Sequence, residues 1–233
     1  MKYRALATDY DGTVAHDGQV DEPTLAALRH VRAAGLHLIL VTGRELTDLF
    51  NTFEHVDAFD RVVAENGAVL YDPATKDIEI LAPGPPAALV DTLNAQHIPI
   101  SVGHSIVATV EPHEHAVLNA IRDLGLEWHV IFNKGSVMAL PSEVTKARGL
   151  QPALDSLGLT TLETIGVGDA ENDQVFLRLC GLAVAVDNAL PTVKALADLV
   201  TAGARGAGVT ELIEDWLEGR LDTIAPDPAK HQG

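Results

Sequence analysis

The chain is poor in cysteine: Cys180 is the only one in 233 residues. A disulfide framework within the chain is thereby excluded, as is a metal site built on cysteine pairs. Long apolar runs are also missing. None approaches the roughly 18–20 residues that a membrane-spanning helix requires, so no membrane partner is expected. The opening Met1-Lys2-Tyr3-Arg4 leads straight into a strand-like run, without the apolar region of a secretory signal. A soluble, cytoplasmic protein is the expectation. Cations are scarce as well, with 16 Lys and Arg against 33 Asp and Glu and a net charge of −17. Such a surface repels nucleic acid and anionic membranes, so neither is an expected partner. Any anionic ligand must then be held by locally placed cations or by a bound metal. Two nucleotide-binding signatures are missing too. Gly166-x-Gly168 lacks the third glycine of a dinucleotide fingerprint, and no GxxxxGK[ST] phosphate loop occurs.

What is present is a repeated strand–helix rhythm. Residues 4–8 read as a buried strand, and Asp21-Glu22-Pro23-Thr24 as a helix start with proline in the first turn. The run Leu38-Ile39-Leu40-Val41 has the continuous apolar character of a parallel strand covered on both faces. Gly43 and Arg44 are expected to open a second helix. A third strand, 61–64, ends in the turn residues Glu65-Asn66-Gly67. This order predicts a doubly wound, mostly parallel α/β core.

After Ala82-Pro83-Gly84-Pro85-Pro86 the pattern changes. Helices at about 87–96 and 114–124 are mixed with period-2 strands at 106–110, 128–132 and 137–139. Asn133-Lys134-Gly135 joins the last two as a hairpin turn. The expected organisation is a core of residues 1–82 and 144–220, an inserted smaller α+β cap at 83–143, and a disordered tail at 221–233.

Four segments carry chemistry. Asp9-Tyr10-Asp11-Gly12-Thr13 lies just beyond the first strand, where open α/β sheets place ligands. Two close carboxylates favour a cation, and Mg2+ prefers such hard oxygen donors. An ordinary acidic turn uses the same residue types. Thr42-Gly43-Arg44 follows the second strand and offers a hydroxyl and backbone N–H groups for phosphate, although an N-cap threonine would look the same. Lys146 starts a predicted helix, where the macrodipole disfavours a cation, so an anionic neighbour is implied. Pro152 is awkward within that helix. Finally, Gly168-Asp169-Ala170-Glu171-Asn172-Asp173 follows another apolar strand and could complete a metal site.

In this order, the DxDGT, Thr, Lys and GDxxND segments resemble the haloacid dehalogenase superfamily. A cap placed between the Thr and Lys motifs resembles its Cof-like branch with a C2-type cap, which includes compact phosphoglycolate and sugar-phosphate phosphatases. The resemblance implies a Mg2+-dependent phosphatase in which Asp9 is the nucleophile and Asp11 the general acid and base. It also implies that Thr42 and Lys146 neutralise the phosphoryl oxygens. Asp9, the backbone carbonyl of Asp11, and Asp169 would bind Mg2+, with Asp173 acting through the outer shell. Gly12, Thr13, Gly43, Arg44, Asn66, Gly67, Asn172 and Asn188 are the implied phosphate or substrate neighbours.

The cap's only cations are Arg122 and Lys134, which favours a small monophosphate. Its five histidines, His97, His104, His113, His115 and His129, show no metal-ligand set. The alternatives are a phosphomutase of the same superfamily and a catalytically silent binding module of that fold.

Overall fold

The computed structural model describes residues 2–226. The apolar runs need cover on both faces, and they form the strands of one large sheet. The chain begins with β1 (Ala5–Thr8), α1 (Glu22–Ala33), β2 (His37–Val41), α2 (Leu46–Thr52) and β3 (Arg61–Ala64). It continues through β4 (Val69–Tyr71), β5 (Ile78–Ile80), α3 (Ala87–Ala95), β6 (Ser101–Val102), β7 (Val107–Val110), α4 (Glu114–Asp123), β8 (Trp128–Asn133) and β9 (Ser136–Pro141). The remainder comprises α5 (Lys146–Ser156), β10 (Thr164–Gly168), α6 (Gln174–Leu177), β11 (Leu182–Ala185), α7 (Pro191–Leu196), β12 (Leu199–Val200) and α8 (Arg205–Leu217).

The large sheet has the order β12-β11-β10-β1-β2-β3-β4-β5. β1 pairs in parallel with β2 on one side and β10 on the other. Chain connections therefore leave β1 in opposite directions and open a crevice at its carboxyl end, the switch point where α/β sheets bind ligands. This is the doubly wound, mostly parallel arrangement expected from the apolar runs. The antiparallel edge strands β4 and β5 were not anticipated. β4 has three residues and β5 is exposed throughout, so neither carries a clear period. Glu65 and Asn66 adopt left-handed backbone, φ 50° and 54°, and this turns the chain back along β3.

The smaller sheet, β6-β7-β9-β8, is antiparallel. Alternation assigns its faces. Val107, Val137 and Ala139 join Leu89 and Leu93 of α3 and Val117 and Ile121 of α4 in a separate apolar cluster. Ala108, Ser136 and Met138 face the cleft above the large sheet, and Met138, Leu140 and Ile106 belong to the main core. The β8–β9 reversal puts Lys134 at φ 50° and Gly135 at φ 83°, as a two-residue primed turn requires.

Three expectations change. Gly43-Arg44 does not open a helix, because α2 starts at Leu46. Pro152 lies inside α5 without ending it; Arg148, four residues back, sits on the exposed side of the helix. The expected tail begins in ordered structure: Arg220–Thr223 is a 3-10 turn, Leu221 is buried, and the Lys2 N–H donates to Asp222. The rest of that tail, 227–233, lies outside the described residues.

Gly149 of α5 lets the helix approach the turn after β3. A Cβ there would lie 2.5 Å from Gly67 Cα and from Val63 Cγ1. Gly149→Ala gains up to about 1 kcal/mol of helix propensity, but overpacking against backbone costs about 1–3 kcal/mol. A net loss of stability is expected in urea unfolding. A variant more stable than the parent would show that this approach is not tight.

Candidate active site

β1 ends in the Asp9 loop, and the Asp9 N–H extends the β1–β10 pairing by donating to the Val167 carbonyl at 3.0 Å. The Asp169 loop follows β10. The parallel pairing of the two strands therefore sets both acidic loops side by side. Thr145 caps α5 by accepting from the Arg148 N–H at 3.2 Å, and this fixes Lys146 as the first helical residue.

The Lys146 ammonium is buried and lies 2.5 Å from Asp9 Oδ1 and 2.5 Å from Asp173 Oδ1. The other Asp173 oxygen accepts from the Asp169 and Ala170 N–H groups at 3.0 and 2.9 Å. Asp173 thus shapes the loop and holds the lysine, and both its oxygens are occupied. This explains a cation at a helix start, where the macrodipole opposes it.

The electrostatics follow from burial. Desolvation raises the Asp9 carboxyl well above the usual carboxylate range; Asp173 raises it further, Lys146 opposes the shift, and Asp169 adds to it. Burial alone would lower the Lys146 ammonium, but Asp173 and Asp9 outweigh it and the net direction is upward.

Asp11 points elsewhere. Its carboxylate takes two hydrogen bonds from Arg44, Nε to Oδ2 at 2.7 Å and Nη2 to Oδ1 at 2.8 Å. Arg44 is further held by Asp48 at 2.6 Å and lies over the Tyr10 ring. Asp11 presents its backbone carbonyl to the acidic centre instead.

The remaining expected neighbours take four different places. Thr13 donates to Asp169 Oδ1 at 3.2 Å, and Asn188 donates to the Gly12 carbonyl at 2.8 Å, so both brace the acidic loops. Asn172 donates to Asn66 Oδ1 at 2.9 Å. Thr42 is buried, and its hydroxyl accepts from the Arg44 N–H at 3.1 Å, while Gly43 and Arg44 line the cleft. Gly67 does not face the cleft: a Cβ there would meet the Thr145 carbonyl, so its place is in packing α5.

Asp9, Asp169 and Asp173 each offer a carboxylate oxygen, all within 4.8 Å of one another, the one such group among the described residues. The cap histidines do not add to it. Hard oxygens in this number suit Mg2+. A cation already tests the fit: the Lys134 ammonium donates to the Asp11 carbonyl and lies 3.0 Å from Asp169 Oδ2. The residues present therefore fit a divalent ion held by Asp9, the Asp11 carbonyl and Asp169. Asp173, its oxygens engaged, sits behind them.

Sequence reasoning did not identify Lys134 or Glu65 as site residues. Glu65 is fully buried, and its carboxylate accepts from the N–H groups of His104, Ser105 and Ile106 at 2.9, 2.8 and 3.1 Å. A cavity of about 580 Å³ above Asp9 and Asp11 is lined by Gly43, Arg44, Ser101, Ala108, Lys134 and Met138, among others. A second, of about 450 Å³, opens beyond Lys134 beside Asp169, Asn188 and Arg205.

Comparison with known proteins bears on the family and the fold. A family model described as haloacid dehalogenase-like hydrolase matches residues 6–115 and 113–213. A phosphoglycolate phosphatase of Methanothermobacter thermautotrophicus is 30% identical over 224 residues, covering 92% of this chain and 99% of that protein. Another, of Natronomonas pharaonis, is 28% identical over 227 residues and covers 92% and 98%. A solved haloacid dehalogenase-like hydrolase from Bacteroides thetaiotaomicron superposes with a TM-score of 0.78 at 19% identity, over 92% of this chain and 99% of that one. That last likeness is one of fold.

Asp173→Ala would strip Lys146 and two backbone N–H groups of a buried partner. Lys146 keeps Asp9, so the cost comes chiefly from the two N–H groups left unpaired, about 1–3 kcal/mol each. Urea unfolding should show a loss of that size, and a loss below about 1 kcal/mol would show that Asp173 does not anchor the loop.

Proposed function

This chain belongs to the haloacid dehalogenase-like hydrolases, and we propose that it is a Mg2+-dependent phosphatase that hydrolyses a small phosphate monoester through an aspartyl-phosphate on Asp9. One observation carries the proposal. A buried carboxylate stands at the carboxyl end of the central strand, with one oxygen on Lys146 and a cavity above it.

Phosphoryl transfer needs alignment and neutralisation of the equatorial oxygens more than covalent help from the protein. Lys146, Thr42 and the backbone around Gly43 supply that neutralisation from the core side. The metal, held by Asp9, the Asp11 carbonyl and Asp169, would keep Asp9 ionised and draw charge from the phosphoryl group. An Asp9 oxygen attacks phosphorus while the bond to the leaving alkoxide breaks. Asp11 supplies the proton to that alkoxide, and to do so it must first swing away from Arg44. As the carboxylate it then takes a proton from water, which attacks the aspartyl-phosphate, frees inorganic phosphate and restores Asp9.

Apolar and hydroxyl-bearing side chains share the cavity lining with the carboxylates of Asp9, Asp11, Glu45 and Asp48, and of its two cations, Arg44 and Lys134, the first is already paired to two carboxylates. That supports a compact substrate such as phosphoglycolate or a simple sugar phosphate. Phosphoglycolate is the substrate in the names of the relatives from Methanothermobacter and Natronomonas.

Asp9→Asn is expected to lower release of inorganic phosphate from such esters by at least about 10³-fold, with an unchanged circular dichroism spectrum. Appreciable turnover by the pure variant would remove Asp9 as nucleophile. Chelation with EDTA should abolish phosphate release and added Mg2+ restore it. Full activity in demetallated protein would refute the metal assignment. Conversion of the substrate to an isomer, without free phosphate, would make the enzyme a mutase.

A further inference from the structure

Lys134 is carried on the tip of the β8–β9 hairpin, far in sequence from the residues it meets. Its left-handed backbone and that of Gly135 aim the side chain into the cleft. The side chain is 49% exposed, whereas that of Asp169, which it meets, is 6% exposed. The ammonium is seated against the loop backbone, since a Cβ on Gly12 would collide with Nζ. Its two partners, the Asp11 carbonyl and Asp169 Oδ2, are oxygens of the donor set assigned above to the metal. An ammonium and a metal ion cannot both occupy one pair of oxygens.

We propose that Lys134 is a positioning residue that competes with the divalent cation, so that metal binding and docking of the β8–β9 hairpin exclude one another. The proposal rests on the metal site of the preceding section. The charges set its direction. With all three buried carboxylates ionised, the one ammonium of Lys146 leaves two negative charges unmatched. Lys134 offsets one of them and a divalent ion offsets both, so the ion displaces the lysine when present and the lysine docks when it is absent. Linkage makes the effect reciprocal: whatever the docked lysine costs metal binding, the metal costs hairpin docking.

The consequence is access. Asp11, Asn133 and Lys134 line both cavities, so the hairpin tip forms the wall between them. Expelling Lys134 joins the two and widens the route to Asp9. Metal loading thereby prepares the cleft for substrate.

Calorimetric titration of Mg2+ into EDTA-stripped full-length protein tests this. Lys134→Met should bind Mg2+ at least about tenfold more tightly than the parent, within the usual range of coupling between sites. Lys134→Arg, which keeps the charge, should remain closer to the parent. In parallel, Mg2+ should raise amide hydrogen exchange across residues 128–141 in the parent, whereas Lys134→Met should exchange fast there without metal. Equal or weaker Mg2+ binding by Lys134→Met would overturn the proposal, as would hairpin exchange in the parent that ignores Mg2+. If neither protein binds Mg2+, the metal site itself falls and the competition with it.

Discussion

The structure turns on a concentration of negative charge that the fold creates and then has to neutralise. Pairing β1 with β10 in parallel brings Asp9 and Asp169 to the same sheet end, and Asp173 closes the loop behind them. At an effective dielectric of about 20, two like charges 4 Å apart repel by roughly 4 kcal/mol, and burial removes the water that would screen them. Lys146 answers two of these carboxylates at once. Its position depends in turn on the Thr145 cap and on the close approach of Gly149 to Gly67. A helix start, a glycine contact and a loop hydrogen-bond pattern thus all serve one buried ammonium. They still leave the centre acidic. That residual charge suits the site to a divalent cation, and it draws the hairpin lysine in.

Much of this was legible in the sequence because it is local. The continuous run at 38–41 reads as a strand covered on both faces, and it is buried from Leu38 onward. Alternation in 128–139 gave the β8–β9 hairpin and its turn at Asn133-Lys134-Gly135. Lys146 at a helix start was a local anomaly, and it has a non-local cause, since Asp9 lies 137 residues away. The less legible parts depend on contacts between distant segments. Glu65 reads as a turn residue, yet its carboxylate is committed to backbone about 40 residues on. Gly67 was expected to line the cleft only through the family resemblance; here it admits a helix. Lys134 was visible as a turn residue and as one of two cap cations, but not as a site residue, because its target lies across the cleft.

Glu65 and Lys134 also show how the smaller sheet is held. Glu65 fastens the 104–106 segment to the end of β3 through three hydrogen bonds to a fully buried carboxylate. Ser105 adds a bond to the Ala82 carbonyl at 2.8 Å. Ile106, Met138 and Leu140 continue the main core into that sheet. Such a joint can open only by exposing a buried charge and apolar surface together, and leaving buried groups unpaired is costly. The far end of the same sheet is different in kind. The Lys134 ammonium can exchange its two oxygens for water or for another anion, and its side chain is already half in solvent.

A layer anchored at one edge and ionically tethered at the other has one easy motion, a swing of the tethered tip. The tip that swings carries a cation, and the atoms it leaves are the ones a metal needs. Position and charge in the cleft are therefore not independent variables: each arrangement of the hairpin specifies how much negative charge remains beside Asp9. An acidic protein that must hold a phosphate ester cannot rely on its overall field to attract it. Coupling the roof of the cleft to the charge of its floor lets the site become hospitable to an anion only when its own carboxylates have been neutralised.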